Sequence, residues 1–440
     1  MPISASSCHH VSTTDGRLGV FADREFIALS GTAFARAQAY STILIAIALF
    51  ADAFGTTGFV EGLFGTAFAA VQLLIVLPLG RLVDTRNAKR FLLVGLLLNV
   101  ATFVGFIFVS NAIDVILVRM LQGLGSSVLW ITGSSVIGEI SPDGERGRWL
   151  GSYNQVAAFS SFAGDLVGGA LLYTFETSVT FVVLSGVTLV AFGLVYLYLR
   201  DDPGGTMDPE EAGSVETFRD LLARPMVNSL VTFRFAFSVG KMAVILFLPI
   251  YARTEFGVSA FAIGLLLAGG KLIKALLQGW MGDLTDRLGN EQYFVLAGAL
   301  TYALGTALIP FARPANALLP AFDVGALGHT IGLDGAFLTM FVAYGIIGVA
   351  DSIRLPASMS LFVEEGERLD SVASAMSLRS LSWKVGQVVG PVAIGSIKDG
   401  YGMAIAFWTA AAFILVASAG FLAMYRYGHR LTGGERAGVG

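Results

Sequence analysis

Residues 59–109 read FVEGLFGTAFAAVQLLIVLPLG (59–80), RLVDTRNAKR (81–90) and FLLVGLLLNVATFVGFIFV (91–109). Two mostly apolar runs flank a short stretch of four cations and one carboxylate. A helix needs about 20 apolar residues to cross roughly 30 Å of hydrocarbon, and each run supplies that length. Working outward, breaks at Gly, Pro and charge clusters divide the chain into twelve such spans. They fall near 34–54, 59–80, 91–109, 114–138, 149–173, 179–199, 227–251, 259–281, 292–311, 335–361, 372–397 and 403–425.

Composition agrees. Of the 440 residues, 55% are hydrophobic and 14% charged, against about 25% charged in a soluble domain. A soluble core cannot hide so much apolar surface, so much of it faces lipid. The net charge of −4 offers no basic field for nucleic acid. A lone Cys8 excludes a disulfide framework or a thiolate zinc site. His9, His10 and His429 are terminal and His329 lies in a polar tract, so no metal or cofactor is expected. No GxSxG, HExxH or phosphate-loop pattern points to an enzyme. The polar tail 1–33 lacks the apolar h-region of a signal peptide.

Lys and Arg in the loops and at the span ends set the orientation. With the N-terminus inside, seventeen lie on the inner side, Arg36 among them, and three on the outer: Arg253, Arg313 and Lys398. Both termini are therefore expected in the cytoplasm of a plasma-membrane protein. The longest internal polar stretch of the inner side, 200–226, follows the sixth span and reads as a linker. It would join bundles at 34–199 and 227–425, with tails at 1–33 and 426–440.

Internal repeats support two halves. Gly80-Arg81-Leu82-Val83-Asp84 matches Gly282-Asp283-Leu284-Thr285-Asp286 at an offset of 202, and Gly144-Glu145-Arg146 matches Gly366-Glu367-Arg368 at 222. The polar tract 312–334 supplies the extra 20 residues. Halves with even numbers of spans lie parallel, about an axis along the membrane normal. The predicted fold is an all-α membrane protein with two pseudo-symmetric six-helix bundles around a central cavity.

A charge at the bilayer centre costs roughly 2.5–3.5 kcal/mol, so it persists only beside protein or water. Spans 3, 6, 9 and 12 contain no charged residue, whereas the charges deep within the other spans are Arg119, Asp165, Arg234, Lys241, Lys271, Lys274, Asp351, Arg354, Arg379 and Lys384. This pattern predicts a polar cavity walled by the first two helices of each triplet, with the third outside against lipid.

In this order and spacing, the motifs resemble those of the major facilitator superfamily over nearly the whole chain. The stretch Gly80 to Arg90 is similar to the family's G-x-L-x-D-R-x-G-R-K/R, with Thr85 and Asn87 departing from it. Asn87 replaces the family glycine, and asparagine tolerates a left-handed turn. Arg119-Met120-Leu121-Gln122-Gly123 resembles R-x-x-Q-G, and Pro142 to Leu150 resembles the entry into helix 5. The resemblance implies a secondary transporter, with Gly80, Asp84, Arg86, Lys89 and Arg90 as a conformational latch. Asp286 and Arg287 form its second copy, and Arg379 is the expected partner of Asp84 on span 11.

Gly164-Asp165-Leu166-Val167-Gly168-Gly169 places a carboxylate where exporters of the family have proline. Depth counting puts Asp165 level with Arg119, so the two are expected to pair and carry the coupling proton. In the second half, cations outnumber the single carboxylate Asp351. Lys241, Lys271 and Lys384 near the midplane, with Asp351 and Arg354, form the expected substrate site, and the excess cations suggest an anionic cargo. Gly164, Gly168, Gly386, Gly390 and Pro391 are candidate hinge positions. The leading expectation is a monomer exporting small organic molecules against protons. The alternatives are a proton-linked importer of an organic anion and, more remotely, a channel or sensor, though no re-entrant filter or charged ring is evident.

Overall fold

The protein is described from a computed structural model covering residues 19–142, 145–201, 219, 221–326, 329–368 and 372–437. Asp143 and Gly144, and most of the expected linker, lie outside the described residues, as do residues 1–18 and 438–440. Twelve long helices follow the twelve apolar spans: α1 (Arg24–Phe54), α2 (Gly58–Thr85), α3 (Ala88–Ile107), α4 (Ala112–Ile140), α5 (Arg146–Thr174), α6 (Thr177–Tyr198), α7 (Pro225–Phe256), α8 (Ala260–Leu288), α9 (Glu291–Leu308), α10 (Gly335–Glu367), α11 (Val372–Tyr401) and α12 (Met403–Ala437). Eleven are long and apolar enough to cross a membrane. The twelfth, α11, is diluted by Arg379, Lys384, Lys398 and Asp399.

Between α9 and α10 the extra polar tract forms a short helix (Ala312–Leu318) and an antiparallel hairpin of β1 (Phe322–Ala326) and β2 (His329–Leu333). Among the described residues this hairpin is the one departure from an all-helical chain. It lies at the end of the bundle away from the termini, called the far end below.

Helix packing repeats with a shift of six. Within the first half α1 packs on α5 and α6, α2 on α4, and α3 on α4 and α6; in the second, α7 packs on α11 and α12, α8 on α10, and α9 on α10 and α12. Between the halves α2 packs on α11, α5 on α8 and α1 on α7, which the same pseudo-two-fold relates. The local chemistry repeats as well. Gly55 and Gly257, 202 residues apart, both end their helices in the left-handed conformation (φ 55° and 65°), which favours glycine. Outer faces of α3, α6, α9 and α12 expose Leu97, Val190, Leu304 and Val416, as uncharged lipid-facing helices should.

Two glycine seams close the far end. A Cβ on Gly395 of α11 would sit 2.0 Å from the Gly58 carbonyl oxygen of α2, and one on Gly62 would sit 2.5 Å from that of Pro391. The pseudo-symmetric α5–α8 seam is equally tight: a Cβ on Gly264 would come within 2.3 Å of the Asp165 carbonyl oxygen. Arg253 of α7 and Asp52 of α1 add a far-end ion pair at 2.8 Å. Toward the termini end the same helices loosen, since a Cβ at Gly80, Gly151 or Gly279 would meet no atom within 4 Å.

Two sequence expectations are corrected here. Asn87 does not take a left-handed turn: its φ is −52°, and its side chain caps α3 by accepting from the Arg90 N–H. Asparagine's short side chain serves an N-cap as readily as a turn; the left-handed asparagine is Asn290, at φ 61°. Arg36, counted among the loop cations, lies inside α1 with its guanidinium 4.6 Å from the centre of the Trp130 ring, because α1 begins ten residues before the apolar run.

Candidate transport site

Between the halves lies a partly open cavity. Its wall includes Tyr40, Ser161, Lys241, Lys271, Lys274, Tyr302, Tyr344 and Asp351, with Leu44, Ile245 and Leu267. A smaller recess shares Tyr40, Leu44 and Ile245 with it and is lined by Phe68, Arg119, Leu246 and Pro391. The combined space is apolar with a few placed charges.

Asp165 is fully buried on α5, and its Oδ2 lies 2.6 Å from Lys271 Nζ on α8. Lys271 also donates to Ser41 Oγ on α1 (2.8 Å) and Ser161 Oγ on α5 (2.9 Å). One ammonium of the second half is thus held by three groups of the first. The expected Arg119–Asp165 pair is not what forms. Arg119 donates from Nε to the Phe64 carbonyl (2.8 Å) and from Nη1 to Gln122, and stacks 4.4 Å from the centre of Phe68. Depth along a helix fixes height but not azimuth, and α5 turns its Asp165 face to α1 and α8 rather than to α4.

In the second half Asp351 of α10 binds two cations. Lys241 of α7 donates to Oδ2, and Arg354 Nη2 lies 3.2 Å from Oδ1. Lys241 also sits 5.2 Å from the centre of Tyr302 and 5.9 Å from that of Trp383. Lys384 of α11 crosses to the other half and donates to Gln72 Oε1 at 2.7 Å. Among the described residues Lys274 has no hydrogen bond or ion pair, although it lines the cavity. Of the five expected substrate residues, Lys241, Lys271 and Asp351 line the cavity, both lysines paired with carboxylates, whereas Arg354 and Lys384 are not among the lining residues.

The expected latch is only partly described, because the Asp84 side chain lies outside the described residues. Arg86, Arg90, Asp286 and Arg287 are exposed. Lys89 ties α3 to the end of α6, donating to the Leu199 carbonyl (2.7 Å) and Asp201 Oδ1 (2.9 Å). That hydrogen bond and positive charge hold the Asp201 carboxyl below its usual range. Arg379 accepts, through its carbonyl, a hydrogen bond from Arg234 Nε at 2.8 Å. The candidate hinge glycines form close contacts within each half: Gly164 and Gly168 against Gln38 and Thr42 of α1, Gly386 and Gly390 against Ser238 and Val239 of α7. Pro391 instead lies in the α2–α11 seam.

Sequence reasoning missed a far-end clasp. Glu61 of α2, 1% exposed, pairs with Lys398 of α11 at 2.5 Å. Next to it, the Asp399 carboxylate accepts from the backbone N–H of Gly58 (2.5 Å) and Phe59 (2.8 Å), capping α2 from the other half. A helix N-terminus favours negative charge. The signal in the sequence was a Glu and a Lys-Asp pair at matching ends of two spans that meet across the pseudo-two-fold.

Two parallel six-helix halves, meeting at glycine seams around a charged cavity, define a membrane transporter. The chain matches the family model of the Major Facilitator Superfamily in two overlapping stretches, residues 29–331 and 230–437; it belongs to that family and is a multi-pass membrane protein. It is 23% identical over 374 residues to an uncharacterized MFS-type transporter of Methanocaldococcus jannaschii, covering 84% of this chain and 90% of that one. It is 24% identical over 400 residues to the multidrug resistance protein MdtG of Rahnella sp., covering 89% and 90%. Among solved structures it is similar to a bacterial homolog of the human lysosomal transporter Spinster in an inward-facing, unoccupied conformation. There the TM-score is 0.74 at 16% identity, covering 93% of this chain and 97% of the other. The nucleoside transporter NupG gives a TM-score of 0.72 at 12% identity, covering 91% and 99%.

Proposed function

We propose that the protein is a proton-coupled secondary transporter of small organic solutes bearing an anionic group. It works by alternating access in the plasma membrane, with both termini cytoplasmic. The observation that carries this reading is the Asp165–Lys271 pair, which joins the two halves at the wall of the cavity. Protonation of Asp165 removes the negative partner of Lys271. The freed ammonium, with Lys274, then attracts the anionic group of the cargo. Proton and cargo therefore bind together rather than compete, and two ligands that favour the same state move in the same direction. Under an inward proton gradient that is uptake. Seventeen inner-side cations against three support the orientation, and with it the closed far end makes the observed state inward-facing.

Export is the second reading, favoured by the multidrug resistance proteins among the relatives. It requires cargo and proton to compete for one site. Reconstituted protein under an imposed pH gradient, offered labelled organic anions and dyes, separates the two. Symport predicts anion accumulation with the gradient and proton uptake alongside; antiport predicts expulsion of cargo against it. Asp165→Asn is expected to abolish gradient-driven accumulation while leaving counterflow exchange. If gradient-driven transport survives that substitution, Asp165 is not the coupling site.

A further inference from the structure

Arg234 of α7, Arg354 of α10 and Arg379 of α11 gather in the second half, and none of them lines the cavity. Arg234 lies seven residues before Lys241, and Arg379 five before Lys384. At about 1.5 Å per residue, the group sits roughly 5–10 Å nearer the termini end than the midplane lysines, Arg354 being three residues beyond the Lys241-paired Asp351. Arg234 is 8% exposed and Arg354 1%. Arg234 repels Arg379, and both feel the charge of Arg354. Aromatic rings brace two of them: Arg234 lies 5.2 Å from the centre of Trp383, and Arg354 3.9 Å from that of Phe237.

The bonds these side chains do make leave much unused. Arg234 spends Nε on the Arg379 carbonyl, and Arg354 spends Nη2 on Asp351. Among the described residues, Arg234 Nη1, Arg354 Nε and Nη1, and Arg379 Nε are buried donors without an acceptor. Asp351, the one carboxylate paired in this group, is shared with Lys241. Buried cations without enough negative charge are costly, so three arginines with only a share of Asp351 between them imply a further counter-anion. Guanidinium forks match the oxygens of phosphate and carboxylate. Three forks arriving from three helices suit a tetrahedral group with several acceptor oxygens better than a planar one with two.

We propose that Arg234, Arg354 and Arg379 form a second anion site, distinct from the cavity, that binds a phosphate group. The group comes either from a phosphate free in the aqueous phase or from the headgroup of an anionic phospholipid in the leaflet at the termini end. The site stands whether or not the cavity carries an anionic cargo.

The test uses the full-length protein in detergent, followed by thermal unfolding and calorimetric titration. Inorganic phosphate is compared with chloride at equal ionic strength, and dihexanoyl phosphatidylglycerol with dihexanoyl phosphatidylcholine. At least one phosphate probe is expected to bind and raise the unfolding temperature, with its control inert. Binding of inorganic phosphate assigns a soluble source, and binding of the phosphatidylglycerol alone assigns a headgroup. Arg234→Gln and Arg379→Gln are each expected to weaken that binding at least tenfold; both leave the Asp351 pairs intact. Lys274→Gln, in the cavity, is expected to leave it unchanged. The proposal is overturned if neither probe binds, if the arginine variants bind like the parent, or if Lys274→Gln alone removes binding. The last result would move the phosphate into the cavity.

Discussion

Replacing Asp399 by alanine tests whether the far end is held shut by the clasp between α2 and α11. The carboxylate accepts two backbone N–H groups from the first turn of α2, at 2.5 and 2.8 Å. Loss of an N-cap acceptor costs about 1 kcal/mol, and loss of an anion at a helix N-terminus about 0.3–1 kcal/mol more. Thr57 still caps the Val60 N–H, and Glu61–Lys398 remains in place, so the helix itself survives. These interactions exist only while the halves touch at the far end, so about 1.3–2 kcal/mol is lost from that state alone. At 1.4 kcal/mol per factor of ten, the population ratio shifts roughly 10- to 30-fold toward the far-open state. With the lone Cys8 replaced by serine, spin labels at Ala53 on α1 and Tyr401 on α11 report the far-end distance. Both residues are exposed. The parent is expected to show one short distance, and Asp399→Ala a long-distance population enlarged by that factor. An unchanged distribution in a well-folded Asp399→Ala protein would refute the clasp.

Gly395→Ala places a Cβ 2.0 Å from the Gly58 oxygen, so the same labels should show the far end forced apart; Gly279→Ala, with no atom within 4 Å, should not alter the distances. Arg119→Ala empties the buried space beside Phe68 and removes the bonds to the Phe64 carbonyl and the Gln122 amide oxygen, a loss of roughly 2–4 kcal/mol. Thermal unfolding should fall accordingly, while the pH dependence of transport by the remaining folded protein stays put, because Asp165 pairs elsewhere. Lys274→Gln removes one charge-assisted bond of about 1.5 kcal/mol to the cargo. It should raise the half-saturating concentration of an anionic cargo about tenfold, with no change for a neutral one and none in unfolding temperature.

Element positions were legible because lipid imposes a length on every apolar run, and the repeats at offsets of 202 and 222 placed the two halves. Span 11 shows the limit of hydropathy: α11 is too polar to qualify by composition, and only its place in the series identifies it. Azimuth was not legible. A charge within a span can be assigned a depth, but which neighbour it faces depends on crossing angles set by the glycine seams. Asp165 and Arg119 are level, yet Asp165 meets Lys271 because Gly264 lets α8 lie against the α5 backbone. Contacts between charges at span ends went unseen for a related reason. Glu61, Lys398 and Asp399 look like solvated loop residues until α2 and α11 meet. Arg36 was taken for a topology signal because α1 runs on below its apolar part.

The placement of Asp165 and Asp351, the carboxylates paired with cavity-lining lysines, separates a fixed ion pair from one that can switch. Asp351, Lys241 and Arg354 belong to α10 and α7 of the same half, so rocking one half against the other leaves their distances unchanged. Protonating Asp351 would strand two cations in either state and favour neither. Asp165 and Lys271 belong to opposite halves, so their attraction contributes only while α5 and α8 are in contact. A ligand shifts a two-state equilibrium only by its differential affinity for the two states. A proton on Asp165 removes an attraction that spans the halves, and an anion on Lys271 replaces the partner the proton has taken. Of these two carboxylates, Asp165 is therefore the one that the proposed coupling requires to titrate. A sodium or potassium ion has no comparable reason to prefer Asp165 while Lys271 faces it. Replacing Lys271 by glutamine should thus uncouple transport from pH more completely than replacing Lys241, although both lysines pair with a buried carboxylate.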